Sequence, residues 1–551
     1  MSNTLLEKDI DLLVWSSIST STHPSDYINF VKFAYNREVD HEQALVLAEK
    51  FWLRKDGTAL FNNAVDRLSD LASDGNQLAC FFMARINRLG IGSDANFAQA
   101  IYWYEKGVDF GSTRCMIALA RTISKDEPER AKSLLNQAHK LGDLSANCFL
   151  ADFDKLHHDE LLELGSNSGD GFAVYSWGFH LLKSSQTDSE RSRAIDILKR
   201  SARLSDASAC NLLVYAYLYG SYGVEKDKDA ALYWARQGTK LGSETSYSLL
   251  GRLLIGTPEK DQEGMQAWKR ASMLGDDFAQ CALGWRLVML GESLEHQQEG
   301  IQWLREAAKQ GNKLAIYRLA DFLRDGKGVE KNDVEAIELL KQGVKLGSAE
   351  CQASLAVAYL FGDHVEVDKE RAHNLLQLAK LQGYAWGTYL LGMTYEQGDG
   401  VPQNFDKAIE CYKEIADEEP RAAYRLGYLS LWRDEHDQDL PAAAKWFMNA
   451  AERGNADAQL HLGIMLLNGY GVEESASKAE KWFKLAADQG NRSANRELGL
   501  LYVEGNGVSF DRELGMRYIA KAASMGDDAS QKWLDENCPK KPQWLLDMRS
   551  E

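Results

Sequence analysis

The sequence predicts an all-α protein, an α-solenoid of stacked antiparallel helix pairs. Three observations predict it: a glycine recurs at intervals of 36 residues, small and large apolar residues keep fixed distances from it, and each interval holds a second glycine-rich turn. A fixed period of this length is typical of stacked repeat units rather than of one globular core. The recurring glycines are Gly75, Gly111, Gly242, Gly275, Gly311, Gly347, Gly383, Gly454, Gly490 and Gly526.

The composition excludes several classes of protein. The 551 residues include 63 basic and 81 acidic side chains, which gives a net charge of −18. This balance disfavours binding to nucleic acid phosphates and favours solubility and basic partners. No apolar stretch approaches the roughly 18 residues of a membrane span, and the N-terminus is acidic where a secretory signal would be basic. We therefore expect a cytoplasmic protein with no nucleic acid partner and no membrane insertion.

The spacing of the glycines divides the chain into three parts. Residues 1–38 precede the repeats, and we predict that they form a helical lead-in. They resemble segments that precede helical repeats in bacterial proteins. The repeat solenoid is predicted over 39–537, in about 13 units, with a degenerate unit at 39–74. The interval shortens near 140–200, so we expect irregular units and altered superhelical curvature there. Residues 538–551 are predicted to form a C-terminal cap or charged tail.

The first helix of each unit, helix A, begins just after the recurring glycine, which is taken as position 0. Position +4 is small and +8 is large and apolar, as in Ala458 and Leu462. Spacings of four place +4, +8 and +12 on one helix face, where small residues allow a second helix to approach. Cys115, Cys210 and Cys351 occupy +4, so we interpret them as reduced structural thiols rather than disulfides or metal ligands.

A Gly-x-Gly-Val turn follows helix A at positions +15 to +18, as in Gly469 to Val472. We predict that these glycines end helix A in the left-handed conformation, which other residues adopt at a cost. A phosphate-binding loop would need a preceding strand and a longer glycine fingerprint, and the sequence contains neither at this turn.

Helix B completes each unit. It is small at +25 and large at +28, and it ends in Ala-Ala-x-x-Gly. The strict alternation of small and large residues predicts that the large residues lie in the core and do not stack on a ligand. The tryptophans at +28 are Trp103, Trp234, Trp303, Trp446 and Trp482.

Five spaced motifs recur together, as in Asn455-Ala456-Asp457-Ala458-Gln459, Leu462-Gly463, Gly469-x-Gly471-Val472, Ala479-x-x-Trp482 and Ala486-Ala487-x-x-Gly490. Over about residues 75–537 these motifs resemble the Sel-one-like repeat family, a branch of the tetratricopeptide-like helical repeats. The resemblance implies antiparallel helix pairs stacked into a right-handed superhelix. It also implies a scaffold or adaptor that acts through protein–protein contacts.

Catalytic and metal-binding motifs receive little support. The densest cluster of ligand-type residues is His157-His158-Asp159-Glu160. Neighbouring residues do not share a helix face, so we interpret this cluster as a polar linker or exposed turn. Because no nucleophile elbow or zinc-helix motif occurs either, we expect no enzyme activity, no cofactor and no metal.

One stripe of helix A lies opposite its core face, centred on +10 and flanked by +3, +6 and +7. In tetratricopeptide-like stacks helix A lines the concave side, so this stripe should line the groove. It is often basic in the N-terminal units, as at Arg85, Arg121 and Arg252, and apolar from Val357 onward. The candidate partner-binding residues are Trp285, Tyr317, Trp386, Tyr389, Met393, Tyr424, Tyr428 and Ile464.

Two interpretations of this stripe remain open. Apolar residues where a helix should face water favour a protein segment that docks in the 317–464 part of the groove. Alternatively, adjacent A helices bury these residues against each other. Under the first interpretation, alanine at both Tyr389 and Tyr428 weakens partner capture and leaves thermal stability nearly intact.

The functional hypothesis is a non-catalytic scaffold or adaptor that binds a partner protein. One alternative is a regulatory, chaperone-type or immunity-type subunit that places or inhibits a catalytic partner. Another is a hydrolase built on the repeat array, which a catalytic constellation or a bound metal in the groove would favour. The partner, the pathway and the oligomeric state do not follow from the sequence.

Overall fold

The computed structural model describes residues 58–89, 96–291, 293–432 and 438–537. Within these ranges the chain forms α-helices joined by turns and short 3-10 segments, without β-strands, as the sequence predicts. The helices belong to two compact units, Met1–Ala315 with Lys327–Val329, and Ile316–Gly326 with Glu330–Glu551. The predicted lead-in (1–38), the start of the degenerate unit and the tail (538–551) lie outside the described residues.

The helices of the first unit alternate between helix A and helix B. They are α1 (Thr58–Ser73), α2 (Gln77–Leu89), α3 (Phe97–Asp109), α4 (Thr113–Ile123), α5 (Pro128–Lys140), α6 (Asn147–Leu150), α7 (His158–Ser166), α8 (Gly171–Ser184), α9 (Asp188–Arg203), α10 (Ala207–Tyr219), α11 (Lys228–Lys240), α12 (Glu244–Leu254), α13 (Asp261–Met273), α14 (Asp277–Leu290) and α15 (Leu294–Lys309).

The second unit continues the same alternation. Its helices are α16 (Lys313–Asp325), whose first turn is assigned to the first unit, α17 (Asp333–Lys345), α18 (Ala349–Phe361), α19 (Lys369–Leu381), α20 (Ala385–Gln397), α21 (Phe405–Ile415), α22 (Pro420–Trp432), α23 (Leu440–Glu452), α24 (Ala456–Asn468), α25 (Ala476–Asp488), α26 (Arg492–Glu504), α27 (Arg512–Ser524) and α28 (Asp528–Asn537).

Left-handed glycines set the two turns of each repeat. The ten glycines of the 36-residue series all have positive φ, between 74° and 96°, where the chain leaves helix B. The residue after the glycine then caps helix A: the Asn455 side chain accepts a hydrogen bond from the Ala458 N–H at 2.8 Å. At the other end, Gly398 and Gly469 are left-handed C-caps of α20 and α24. The prediction for the Gly-x-Gly-Val turn is therefore confirmed.

The small +4 position is a helix–helix contact, as the sequence predicts. A Cβ atom on Gly107 of α3 would lie 2.3 Å from the Cys115 Sγ of α4, and a Cβ atom on Gly343 of α17 would lie equally close to the Cys351 Sγ of α18. Each thiol thus fills a notch that a glycine leaves on the preceding helix B. The seven cysteines of the described residues are all buried, in agreement with their interpretation as small core residues.

The prediction for the tryptophans at +28 is partly wrong. Trp103 and Trp234 are buried, but Trp303, Trp446 and Trp482 are only half-buried. The fully buried large residue of helix B is the next one, at +29, because the helix is rotated so that this side chain meets the glycine or alanine at +9 of helix A. The +29 residues with at most 1% exposure are Tyr104, Leu304, Leu340, Leu376, Tyr412, Phe447, Phe483 and Ile519.

The short unit at 143–169 contains no continuous helix A. In its place, two 3-10 turns, Leu144–Ala146 and Ala151–Phe153, flank the single helical turn α6. The Asp143 carboxylate accepts hydrogen bonds from both the N–H (3.1 Å) and the hydroxyl (2.5 Å) of Ser145, which tightens the first turn. The helical irregularity lies within the segment where the glycine interval shortens. The superhelical handedness and the predicted curvature change remain predictions.

Two buried carboxylates cap helices of the first unit and lead to a pH prediction. One oxygen of Asp170 accepts the Ala173 N–H at the start of α8, and one oxygen of Asp206 accepts the Ala209 N–H at the start of α10. The other oxygen of each is buried without a hydrogen-bond partner. Burial raises the pKa of both carboxyl groups to about 7.

Stability of the first unit should therefore fall as the pH rises from about 4 to about 7. The folded state keeps protons that the unfolded state releases near pH 4, so this contribution is complete below pH 4 and lost above pH 7. In Asp206→Asn, the amide oxygen can still cap the helix, and the side chain no longer titrates. We expect this variant to match the wild type at pH 4 and to be more stable by at least about 1 kcal/mol at pH 8, measured by urea unfolding. An equal difference at both pH values would contradict the raised pKa.

Candidate functional site

In the second unit, four of the predicted residues form two aromatic pairs on neighbouring A helices. On α20, Trp386 and Tyr389 stack with ring centroids 5.1 Å apart and an angle of 16°. On α22, the rings of Tyr424 and Tyr428 lie 6.4 Å apart. All four side chains are half-buried. We call these residues, with Met393 of α20, the C-terminal aromatic surface.

Arginines of α22 connect the two pairs. The Arg421 guanidinium lies 4.6 Å from the Trp386 ring centroid, and that of Arg425 lies 5.0 Å from the Tyr428 ring. Guanidinium groups over aromatic faces add cation–π attraction and hold the rings in place.

Part of this surface also belongs to the protein core. Tyr389, Met393 and Tyr424 pack against the buried cluster of the second unit, and the Tyr424 ring lies 5.8 Å from Phe447. Burial raises the pKa of Tyr389 and Tyr424, so both phenols remain neutral hydrogen-bond donors. Tyr389 is thus an unsuitable site for a pure binding test, because its replacement also removes core contacts. Trp386 and Tyr428 are not part of the core cluster.

The three remaining predicted residues lie on other helices. Ile464 on α24 is half-buried and packs on the same core cluster. Tyr317 on α16 is half-buried, and burial raises its pKa. Trp285 belongs to the first unit, where it is 37% exposed on α14. The eight residues therefore do not form one contiguous set within a unit.

Beneath the C-terminal aromatic surface lies a charged group that the sequence analysis missed. Glu396, at the end of α20, is buried and accepts hydrogen bonds from the Tyr412 hydroxyl at 2.8 Å and from Arg425 Nε at 3.2 Å. Its second oxygen pairs with Arg425 Nη2. One carboxylate thus joins α20, α21 and α22. The available signal was that Glu396 is the only charged residue of α20.

A second aromatic surface, also missed, lies in the first unit. The rings of Tyr215 and Tyr219 on α10 stack 6.0 Å apart. The Arg252 guanidinium of α12 lies 5.5 Å from the Tyr219 ring and 5.4 Å from the Phe278 ring of α14. The three aromatic side chains are about 40% exposed. We call these four residues the N-terminal aromatic surface.

The sequence analysis missed this surface because it followed only the stripe at +3, +6, +7 and +10, and it interpreted that stripe as polar in the N-terminal units. At +10 the surface shows only Arg252, which was interpreted as part of a polar stripe. Phe278 lies at +3, within the stripe, whereas Tyr215 and Tyr219 lie at +9 and +13, outside it. Trp285 lies seven residues after Phe278, on the same face of α14. The available signal was the pair Tyr215 and Tyr219, which lie four residues apart on one helix and outside the stripe.

The cluster at His157–Glu160 also contacts a residue that is distant in sequence, His180. His158 and Asp159 begin α7, and the structure brings His180 of α8 against them. The interpretation of this segment as only a polar turn was therefore incomplete.

The chain is similar to known proteins in its repeats. A family model described as Sel1 repeat matches nine segments of the chain, which together make up more than half of it. They are residues 77–109, 207–243, 277–312, 313–348, 349–384, 387–419, 420–455, 456–491 and 492–527. The match leaves out the irregular part between 110 and 206.

Curated relatives match over shorter stretches. Protein sel-1 homolog 2 from Homo sapiens is 28% identical over 218 residues, covering 37% of this chain and 31% of that protein. Chitin synthase regulatory factor 3 from Schizosaccharomyces pombe is 27% identical over 263 residues, covering 46% and 28%. The matched part thus spans less than a third of the length of these relatives.

Among solved structures, a protective antigen of uropathogenic Escherichia coli strains with an SLR fold is similar with a TM-score of 0.53. It is 22% identical, and the match covers 81% of this chain and 92% of that one, which shows a common helical-solenoid fold. Within the described ranges, no helix combines the length and apolar content of a bilayer crossing. The chain belongs to the Sel1 repeat family, whose repeats generally mediate protein–protein interactions.

Proposed function

We propose that this chain is a non-catalytic scaffold or adaptor that holds a segment of a partner protein against the faces of its A helices. The observation that carries the proposal is the N-terminal aromatic surface, where Tyr215, Tyr219 and Phe278 remain about 40% exposed around Arg252. Solenoids of this type present extended concave surfaces to their partners. A contiguous exposed aromatic group on a soluble protein is typical of an interaction site.

The residue types support this role. Tyrosine, tryptophan and arginine dominate the residues that contribute most to protein–protein affinity. Their large rings lose little conformational entropy on binding, and here the guanidinium of Arg252 already holds two of them in place. The partner segment that fits such a surface carries exposed apolar or aromatic side chains.

The predicted residues of the second unit form a further contact area in this proposal. The half-buried Trp386 and Tyr428 contribute the accessible part of their rings beside Arg421 and Arg425. Tyr389, Met393 and Tyr424 support these rings from the core side. Tyr317, Ile464 and Trp285 are assigned a peripheral role. If the captured partner is an enzyme, the scaffold would serve as its regulatory subunit.

A cytoplasmic location is part of the proposal. It is supported by the seven buried cysteines of the described residues, none of which forms a disulfide with another, because an oxidising compartment favours paired cysteines.

Affinity capture tests both surfaces. The tagged full-length protein would be exposed to native lysate of its source organism, and bound proteins quantified by mass spectrometry. We expect Tyr219→Ala/Phe278→Ala to reduce the principal captured protein about 30-fold, the loss that corresponds to about 2 kcal/mol of binding energy. Trp386→Ala/Tyr428→Ala should reduce it by a smaller factor, since these side chains are less exposed.

Tyr233→Ala is the matched control, because Tyr233 is a tyrosine of helix B that is 55% exposed. It should leave capture unchanged. Melting temperatures of all variants are measured in parallel, to separate loss of binding from loss of folding. The proposal fails if the Tyr219/Phe278 variant folds and captures its partner as the wild type does, or if the Tyr233 control loses as much.

A further inference from the structure

Three metal-ligand side chains from two helices converge at the start of α7. The Asp159 carboxylate Oδ1 lies 3.1 Å from His158 Nδ1 and 2.9 Å from His180 Nε2. The ligand atoms of all three side chains lie within 4.8 Å of one another. The two imidazole rings are tilted by 52°, with centroids 4.9 Å apart. Two imidazoles and a carboxylate thus surround one small volume.

The surrounding structure holds these side chains in position. The buried Trp177 lies one turn before His180 on α8 and stacks on its ring at 5.9 Å and 10°. On the other side, an Asp154 carboxylate oxygen accepts the backbone N–H groups of Leu156 and His157, at 3.1 and 3.2 Å. This turn fixes the point at which α7 begins. Contacts on both helices therefore hold the cluster in position.

We propose that His158, Asp159 and His180 bind a divalent transition-metal ion, with Zn²⁺ as the best fit. Zinc takes imidazole nitrogen and carboxylate oxygen at about 2.0–2.2 Å, in a tetrahedral arrangement whose ligand atoms are about 3.4 Å apart. Asp159 already lies near that distance from both nitrogens. The two nitrogens lie within 4.8 Å of each other, so they must approach by at most about 1.4 Å to reach it.

The burial of the site agrees with a three-ligand centre that keeps one open position. The His158 and His180 side chains are about one-third exposed, and Asp159 is more exposed. An ion can therefore enter from solvent, and water would complete the tetrahedron. Neutral imidazoles and an ionised carboxylate are the required ligand forms.

The ion would join α7 to α8 inside the irregular part of the first unit. There the short unit has lost its continuous helix A, and with it part of the packing that regular repeats share. A metal bridge between neighbouring helices would compensate for this loss, because metal binding adds to the stability of the state that forms the site.

The test is a zinc titration of the full-length protein after a chelator has removed bound metal. Calorimetry and competition with a chromogenic chelator each measure the number of zinc ions bound and their affinity. We expect His158→Ala/His180→Ala to bind one zinc ion fewer than the wild type, and Asp159→Asn to weaken binding at this site at least about 10-fold. His157→Ala is the matched control: His157 is the adjacent histidine, paired with Asp154 at 3.0 Å and outside the cluster. It should bind as many zinc ions as the wild type.

A second measurement keeps the proposal testable if a variant is unstable. Zinc should raise the wild-type melting temperature by about 2–5 °C, and Mg²⁺, which prefers oxygen ligands, should not. Cobalt bound in place of zinc should show the visible absorption of a tetrahedral centre, and the double variant should lose it. Equal zinc stoichiometry in the wild type and the folded double variant would overturn the proposal. Equal loss in His157→Ala would do so as well.

Discussion

Phe483→Ala should lower the free energy of unfolding of the second unit by about 4 kcal/mol. Phe483 of α25 is fully buried, at 0% exposure. Its ring lies directly on Gly463 of α24, where a Cβ atom would come within 2.4 Å of the ring. Neighbouring small residues, among them Ala479 and Ala487, cannot fill the space that the ring leaves. The loss therefore combines transfer of a large apolar side chain with an unfilled cavity.

The neighbouring Trp482→Ala is the matched control, since it tests which of two adjacent positions is the core position. Trp482 is larger but only half-buried, so we expect its loss to cost about 1–2 kcal/mol. Urea unfolding measures both effects, and hydrogen exchange should localise the Phe483 effect to the repeats around α24 and α25, because stacked repeats couple mainly to their neighbours. A larger loss from Trp482→Ala would restore +28 as the core position.

Glu396→Ala should destabilise the second unit by about 3 kcal/mol. The Glu396 side chain is 9% exposed and that of Arg425 is 25% exposed. Without this carboxylate, the Arg425 guanidinium and the Tyr412 hydroxyl, which is buried between α20 and α22, lose their shared acceptor. A buried polar group without a partner costs more than the pair contributes when intact. The effect should be visible in the urea midpoint.

Glu513→Ala is the control for Glu396→Ala. Glu513 pairs with Arg517 at 2.7 Å on α27, but both side chains are more than half exposed, and such pairs contribute less than about 0.5 kcal/mol. Because Arg425 also lies over Tyr428, Glu396→Ala should additionally weaken partner capture at the C-terminal aromatic surface. Similar stability losses in the two glutamate variants would contradict the role assigned to Glu396.

Most of the architecture could be predicted from the sequence. The positive φ of Gly75, Gly311 and Gly526, the burial of Cys115 and Cys351, and the left-handed caps at Gly398 and Gly469 all follow from spacing alone. Each depends on a local property, namely the conformational freedom of glycine or the size of one residue facing a neighbouring helix. Such properties recur identically in every unit, so the period reveals them.

The candidate site could be predicted only in part. Spacing placed Trp386 and Tyr428 on the stripe opposite the core face, where the structure leaves both half-buried. Spacing did not show that Tyr389 and Tyr424 also pack on the core, because burial depends on how far the next A helix overlaps them. It also did not find the exposed group around Arg252, whose members come from three helices.

The sequence by itself determined the helical repeat, its turns and the face of each helix that must be buried, because these depend on contacts that one period repeats. The tertiary structure alone decided how each helix is rotated about its own axis. A rotation of one residue, about 100°, moves the core position from Trp482 to Phe483. It also decided which side chains from separate helices meet, as Glu396 meets Arg425 and His158 meets His180. Such meetings depend on packing between helices, which no spacing along one helix encodes.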